Sequence, residues 1–340
     1  MEITIGVDLH ERVTQIAVLG PGEQVQQYRV PSEEEAIAAV LARVPRGTRV
    51  AVEATRAWWW FVDQAEAAGH PVVLSHPKQT KAIAAARLKT DRVDAAMLAR
   101  LLRADLLPTV WIPGPHERQW RELVTHRARL GRTRRTIINE LYAVYAKRHV
   151  RLPGRVWLRA EPVAPRVNDL SGAAPGLVER DVTVLRLLNT QIADVDAELA
   201  RHAQADPGAR RLLSIPGVGP MTALAVRSWV GDVRRFAQAK QLASYFGLAP
   251  RVRQSAAHTH RGPISKEGSR VVRWLVVQAA LSGIRFAKGP TRRHYLNVVR
   301  RRGRPIARIA AARKLVGIMF HLLRHEMDYD AFVSWGRHAQ

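Results

Sequence analysis

The sequence predicts a mixed α/β domain followed by a mostly helical remainder. Three observations predict it: three strand-like runs in succession at the N-terminus, alternation of helix and strand up to about residue 110, and helical periodicity over most of the chain beyond that point. The runs ITIGVDL, VTQIAVLG and QVQQYRV are apolar or β-branched and separated by turn residues. A helix is expected near 32–44, then the strand TRVAVEAT, a second helix and the strand PVVLS, after which Pro108, Pro113 and Pro115 break the chain. From about 117 to 148 Leu123, Leu130, Ile137 and Val144 recur every seven residues among many arginines, a helix-packing seam. Residues 152–177, rich in Pro, Gly and Ala, read as a connection. In the helix beyond it Leu185, Leu188, Ile192, Val195 and Leu199 fall at spacings of 3, 4, 3 and 4. That pattern suits a two-stranded coiled-coil seam and an ordinary amphipathic helix alike. Together the two segments suggest a helical hairpin suited to oligomerisation, and from RRLLSIPGVGP onward the chain reads as mostly helical. Three domains are therefore expected, over residues 1–112, 113–205 and 206–340.

Composition narrows the function. The 340 residues, 47% of them hydrophobic, suffice for at least one sizeable core. Lys and Arg number 54 against 29 Asp and Glu, a formal net charge of +25, and such a chain repels itself unless a polyanion neutralises it. Nucleic acid is the commonest such partner, and a membrane surface the weaker alternative. No run approaches the roughly 20 apolar residues that span a bilayer. MEITIGVDLH lacks the basic and apolar regions of a signal peptide, so a cytoplasmic protein without membrane contact is expected. Zero cysteines remove disulfides, thiolate metal sites and cysteine nucleophiles, which leaves oxygen or imidazole to hold any metal.

Acidic residues are scarce, yet LKTDRVDAAML sets Asp91 and Asp94 three apart. Val93, Met97 and Leu101, with Leu98 and Leu102, give this stretch helical periodicity, so both carboxylates share one face. Like charges there repel; a helix N-terminus offsets part of the cost and a divalent cation far more. Taken alone, the pair reads as a helix cap and a solvated surface pair. Asp8 and Glu53, however, each end an apolar strand run, which sets them at the sheet edge facing a cleft. Four carboxylates converging in a basic chain form an all-oxygen site suited to Mg²⁺ or Mn²⁺, and two such ions about 4 Å apart would clamp the attacking and leaving oxygens of a phosphodiester displacement. The fold this pattern describes is ribonuclease H-like, and the order Asp, Glu, Asp, Asp resembles its RuvC-like, Holliday-junction resolvase version.

In the C-terminal region LLSIPGVGPMTALAV matches a helix-hairpin-helix turn. Pro216 and Gly217 end one helix, and Gly219 lets backbone amides approach a phosphate ahead of the next. A plain helix-helix turn is the simpler alternative. GLAPRVRQSAAHTHRGPISKEGSRVVRW reads as a flexible stretch whose Arg251, Arg253, His258, His260, Arg261, Lys266, Arg270 and Arg273 make a phosphate-binding surface. His258 and His260 have no acid close in sequence and suit phosphate contacts better than metal ligation. From the residues alone Ser255, Ser265 and Ser269 are loop or capping serines. Trp58 to Trp60 fit core packing better than base stacking. The basic run VVRRRGRPIARIAAARK can track a nucleic-acid backbone.

GVDLH, VAVEAT and LKTDRVDAAMLARLL, with SIPGVGP, LASYFGLAP and GPISKEGSRVVRW downstream, resemble the DEDD-type transposases of the insertion sequence 110 family, relatives of the pilin-gene invertases. The resemblance runs from residue 3 to about 285 with the motifs in the family's order. It implies a serine acting together with the acidic cluster. Matching Gly262, Ile264 and Lys266 to the family pattern puts Ser255 on that serine, while Gln254, Ala256 and Ala257 stand where a serine and two glycines are usual. It further implies a transposase that cleaves and rejoins donor and target double-stranded DNA through a covalent phosphoserine, works as a homo-oligomer (dimer or tetramer), and is guided by a structured noncoding bridge RNA. Two alternatives stand beside it: a metal-only, structure-selective nuclease in which water attacks, and a non-catalytic nucleic-acid-binding protein.

Overall fold

The computed structural model describes residues 2–83, 91–158, 162–255 and 258–338, the side chains of 252–261 and 336–338 excepted. Two compact units divide at Ile112 and Pro113.

In the first unit the strands are β1 (Thr4–Leu9), β2 (Val13–Leu19), β3 (Val25–Pro31), β4 (Arg49–Glu53), β5 (Val72–Ser75) and β6 (Thr109–Val110). They form one sheet in the order β3-β2-β1-β4-β5-β6; β1 pairs antiparallel with β2 and parallel with β4, and β4 runs parallel to β5. The helices are α1 (Glu34–Leu41), α2 (Trp58–Ala67), α3 (Pro77–Ile83) and α4 (Asp91–Arg103). All the strands and helices expected from the sequence are present here, and α3 and the two-residue β6 are added.

Strand alternation sorts the two faces. Ile5, Val7 and Leu9 of β1, Ile16 and Val18 of β2, Val50 and Val52 of β4 and Leu74 of β5 pack with α1 and α2 in one core, which includes Trp58 and Phe61. Trp59 and Trp60 pack against the same core, so the tryptophan trio is chiefly structural. The other face is built of small residues. There Ala51 packs with Leu98, Leu101 and Leu102 of α4, and Ala17 with Ala95 and Ala96. Contact is closest at Gly6: a Cβ placed there would lie 2.0 Å from the Ala95 carbonyl oxygen and 2.5 Å from the Ala99 nitrogen. Thr4 Oγ1 donates to the Ala99 carbonyl at 3.0 Å. Two residues of strand advance about 6.8 Å and four residues of helix about 6.0 Å. The pairs Thr4 with Ala99 and Gly6 with Ala95 are therefore two rungs of one ladder, and the next rung sets Asp8 beside Asp91.

The second unit contains α5 (Pro115–Ala146), α6 (Ala174–Ala205), α7 (Pro207–Leu213), α8 (Pro220–Val230), α9 (Ala239–Tyr245), α10 (Arg270–Phe286), α11 (Pro290–Arg324) and α12 (Tyr329–His338), with a hairpin of β7 (Pro250–Ser255) and β8 (His258–Ile264). Helices α5 and α6 pack antiparallel, since Trp120 meets His202, Arg127 pairs with Asp196 at 2.8 Å, and Leu141 and Tyr145 share a cluster with Ala174 to Leu185. The α6 seam is where the sequence places it: Leu185, Leu188, Ile192 and Leu199 are buried. On α5 the buried face is Val124, Ala128, Leu141 and Tyr145, while Leu123, Leu130, Ile137 and Val144 are only half buried. The sevenfold count drifts about 20° per heptad on a straight helix and lands on the flank of the true contact. The segment between the helices is more than a connection. Trp157 is fully buried against Tyr145, whose hydroxyl donates to the Pro165 carbonyl at 2.6 Å. Helices α7 to α11 close over a third core that also takes in Val124, Leu199 and Ala203. Among the described residues no helix is long and apolar enough to cross a membrane.

Gly6→Ala should lower stability by about 1–3 kcal/mol or more, because the added methyl meets helix backbone that cannot rotate away. Gly20→Ala, whose Cβ would lie 3.7 Å from its nearest neighbour, is the control and should leave denaturant unfolding within about 0.5 kcal/mol of wild type.

Candidate active site

Asp8 is the penultimate residue of β1 and Glu53 the last of β4. Both strands are interior, so the edge facing the cleft is the row of strand ends rather than an edge strand. Asp8 has the parity of Gly6, and Glu53 that of Ala51, which puts both on the face covered by α4. Asp91 and Asp94 lie in the first turn of α4, where the helix dipole favours negative charge. Residues 84–90, with the LKT of the acidic motif, lie outside the described residues.

One ligand atom each from Asp8, His10 and Asp91 lie within 4.8 Å of one another. His10 Nε2 stands 3.2 Å from Asp8 Oδ2 and 3.7 Å from Asp91 Oδ1. Glu53 and Asp94 stand outside this closest group, although Asp94 is near enough for its charge to act on Asp8. Sequence reasoning missed His10 as a member. The signal was present in GVDLH, where two residues along an extended chain return to the same side.

Burial pushes the Asp8 carboxyl above the ordinary carboxylate range; His10 opposes that rise, and the charges of Asp91 and Asp94 add to it. The Asp8 side chain is 14% exposed and Asp91 is 69% exposed, so the cluster opens toward solvent on the Asp91 side. Two crowded carboxylates with an imidazole are a donor set that a divalent cation fits. Carboxylate oxygens suit Mg²⁺ and Mn²⁺, and the imidazole widens the range toward softer ions.

In the C-terminal unit the predicted turn lies between α7 and α8, and its two glycines do different work. Gly217 has φ of +92°, and a Cβ there would lie 2.4 Å from the Gly283 nitrogen and 2.6 Å from the Ala279 carbonyl, so it lets the turn seat on α10. Gly219 is the N-cap of α8, with open space around it. Asp206 caps α7 through Ala209 and holds Arg227 of α8 with two bonds of 2.7 and 3.2 Å. This clamp fixes the angle between the two helices.

The stretch expected to be flexible is instead the antiparallel hairpin β7–β8, in which Ser255 pairs with His258 and Arg253 with His260. An isolated two-stranded ribbon has no buried face, so its residues carry no apolar alternation for sequence reading to detect. The side chains of Arg253, Ser255, His258, His260 and Arg261, and all of Ala256 and Ala257, lie outside the described residues. Arg251, Lys266 and Arg270 are exposed, with Arg251 Nη2 donating to the Ser265 carbonyl at 3.2 Å. Arg273 is half buried, and its Nη1 donates to the carbonyls of Phe246 and Glu267 at 3.3 and 3.0 Å, a brace for the loop. Ser269 caps α10 through Val272 and Ser265 closes a turn onto Glu267, as capping serines do.

A mixed α/β unit carrying this acidic cluster, followed by a mostly helical unit, belongs to a chain that similarity to known proteins identifies as a transposase. A DEDD transposase profile of insertion sequence 110 type matches residues 5–146, and the transposase IS116/IS110/IS902 family profile matches residues 209–296. The transposase for insertion sequence element IS1111A of Coxiella burnetii is 30% identical over 271 residues, 77% of this chain and 73% of that one. A probable family 20 transposase of Pseudomonas aeruginosa is 27% identical over 337 residues, 96% of this chain and 98% of its own. The pilin gene-inverting protein of Moraxella lacunata is 26% identical over 302 residues, 82% of this chain and 81% of its own. The chain belongs to the IS116/IS110/IS902 family of transposases, enzymes that cleave and join DNA.

Folding raises the Asp8 pKa above its ordinary value of 3.8. The ionised carboxylate therefore opposes folding above the raised pKa, and that penalty disappears as pH falls below the ordinary value. In chelator at pH 7.5, Asp8→Asn should raise the melting temperature by a few degrees, and the advantage should shrink progressively on acidification. Asp206→Ala should cost about 2–3 kcal/mol in denaturant unfolding, since it removes a cap and strands the Arg227 charge.

Proposed function

We propose that this protein is a site-specific transposase that cuts and rejoins double-stranded DNA through a serine–DNA covalent intermediate, with Ser255 as nucleophile and the acidic cluster as its metal-binding partner. The observation that carries the reading is the convergence of Asp8, near the carboxyl end of central strand β1, with Asp91, at the N-terminus of α4, in a chain of this family. The sheet order 3-2-1-4-5, with β2 antiparallel to both of its neighbours β1 and β3, and β4 and β5 parallel to β1, supports a ribonuclease H-like, RuvC-like fold for residues 1–112.

In this reading Asp8 and Asp91, with Glu53, Asp94 and His10 beside them, hold Mg²⁺ or Mn²⁺. Such an ion supplies positive charge against the negative charge that develops on the reacting phosphate. The Ser255 oxygen attacks a DNA phosphorus, its proton passes to solvent, and the bond to the 3′-oxygen breaks. The products are a phosphoserine joined to the 5′ side of the break and a free 3′-hydroxyl. A 3′-hydroxyl of the partner strand then attacks the phosphoserine, which restores the phosphodiester and releases the serine. Positive charge for the DNA backbone comes from Arg251, Lys266, Arg270 and the open turn at Gly219, with Arg253, His258, His260 and Arg261 expected to join them.

The acidic cluster and Ser255 lie far apart in sequence, and in this reading they meet between copies of the chain. Residues 113–205 are the proposed assembly region and 206–340 the transposase domain. Leu177, Val184 and Leu187 lie seven and three apart on α6 and are exposed at 47%, 43% and 62%, an apolar stripe suited to a subunit contact. The net charge of +25 serves a noncoding guide RNA as well as it serves DNA, and the family resemblance favours such a guide.

The test is a denaturing gel of purified protein incubated with the RNA from the flanking region, Mg²⁺ and labelled DNA carrying the element junction. Wild type should give a protein-linked DNA band that both Ser255→Ala and Asp91→Ala lose. Cleaved DNA without linked protein, surviving Ser255→Ala but not Asp91→Ala, would replace this reading with a metal-only nuclease.

A further inference from the structure

The C-terminal unit has an open cleft that neither the acidic cluster nor the hairpin uses. It lies along one face of α11 and is bordered by α9 and α12, in two adjoining lobes of about 370 and 440 Å³. These volumes lie in the range of small-molecule sites. Its chemistry changes along its length. At one end Lys240, Arg313 and Lys314 are exposed and make no ion pair with a described carboxylate. At the other, His321 stacks on Phe332 with ring centroids 6.0 Å apart and planes 24° apart. Trp335 meets the same imidazole edge-on at 6.1 Å and is 47% exposed. His321 Nδ1 is buried in the wall with no hydrogen-bond partner among the described residues. Burial, then His325 and Lys314, holds its imidazole below the ordinary histidine range, so near neutral pH the ring is an uncharged donor and acceptor.

The floor between the two ends is Gly317, in the interior of a long helix. A Cβ there would meet nothing within 4 Å, so packing does not demand the glycine. Glycine is among the poorest helix formers, and what its absent side chain provides here is the open floor itself. The cations require an anion; the aromatic wall requires a flat apolar face. A nucleotide joins phosphate and base in one covalent unit, and only a base outside a duplex stack has a free face to offer.

We propose that this cleft binds an unstacked nucleotide of a single-stranded or looped nucleic acid, its base against Trp335, Phe332 and His321 and its phosphate on Lys240, Arg313 and Lys314. The assignment rests on the reading of the protein as a nucleic-acid enzyme. It goes beyond that reading by separating recognition of single strands from contact with duplex DNA.

The test compares binding, by fluorescence anisotropy, of labelled ten-nucleotide uridine RNA, thymidine DNA and an abasic strand of equal length, with element-junction duplex measured alongside. Wild type should bind at least one base-bearing strand about tenfold more tightly than the abasic strand, the scale of one stacked base. Whichever of RNA or DNA shows the larger preference identifies the source. Gly317→Leu fills the floor while favouring helix, and with Trp335→Ala it should erase the base preference and leave duplex binding and melting temperature near wild type. Equal affinity for abasic and base-bearing strands would overturn the proposal, as would a preference that survives Gly317→Leu or equal competition by an acidic peptide such as polyglutamate. With the flanking-region RNA and Mg²⁺ present in the duplex arm, base preference without duplex binding would leave the cleft standing and refute the transposase reading; duplex binding without base preference would do the reverse.

Discussion

Helix α4 lies against β1 with no side chain between them at Gly6, and the acidic site depends on that contact. Because a carbonyl of one element stands where the Cβ of the other would be, the two backbones have one register in which they fit. Thr4 with Ala99 and Gly6 with Ala95 use up the ladder's apolar rungs, and the rung beyond them carries two carboxylates. The sheet's small-residue face, Gly6, Ala17 and Ala51, exists to admit the helix this closely. Its bulky face, from Ile5 to Leu74, supplies the burial that holds the layer together. Acids that repel one another are thus held together by packing energy stored several residues away.

That arrangement has an electrostatic consequence. Asp8 is partly buried and its neighbours are acidic, so the fold carries a penalty that positive charge relieves. The contact with His10 offsets part of it, and a divalent cation would offset more. The rest of the molecule is strongly basic, so the acidic site is a local inversion of charge in a chain of net charge +25. On the proposed reading the C-terminal unit would meet a polyanion with different parts: an open helix N-terminus at Gly219, exposed cations beside the hairpin, and a cleft where cations adjoin aromatic rings.

What could be read in the sequence depended on how far each signal was local. The strands and helices of residues 1–112 were legible because each has a buried face that imposes period two or 3.6. Asp8 and Glu53 stood out because acids ending apolar runs are conspicuous in a basic chain, and Asp91 and Asp94 because they lie three apart; the structure gathers Asp8 with Asp91 and leaves Glu53 and Asp94 outside that closest group. His10 was missed although GVDLH sets it two residues beyond Asp8, because an exposed residue just past a strand takes no part in the apolar alternation that made the acids conspicuous. The β7–β8 hairpin was read as flexible for the same reason, having no buried face. That Arg273 also braces two backbone carbonyls was not legible, because sequence cannot tell a guanidinium turned to solvent from one folded back onto the chain. On α5 the sevenfold stripe was real but displaced, and only the packed partner shows which flank is buried.

The central claim is that the Asp8–Asp91 convergence is a divalent-metal site. Titrating the purified full-length protein with Mn²⁺ under electron paramagnetic resonance counts bound ions directly. Wild type should bind Mn²⁺ specifically, and Asp91→Asn should lose that binding while keeping its far-ultraviolet circular dichroism and melting profile in chelator. Identical Mn²⁺ stoichiometry and affinity in the two proteins would contradict the account, because the carboxylate that α4 delivers to Asp8 would then hold no metal.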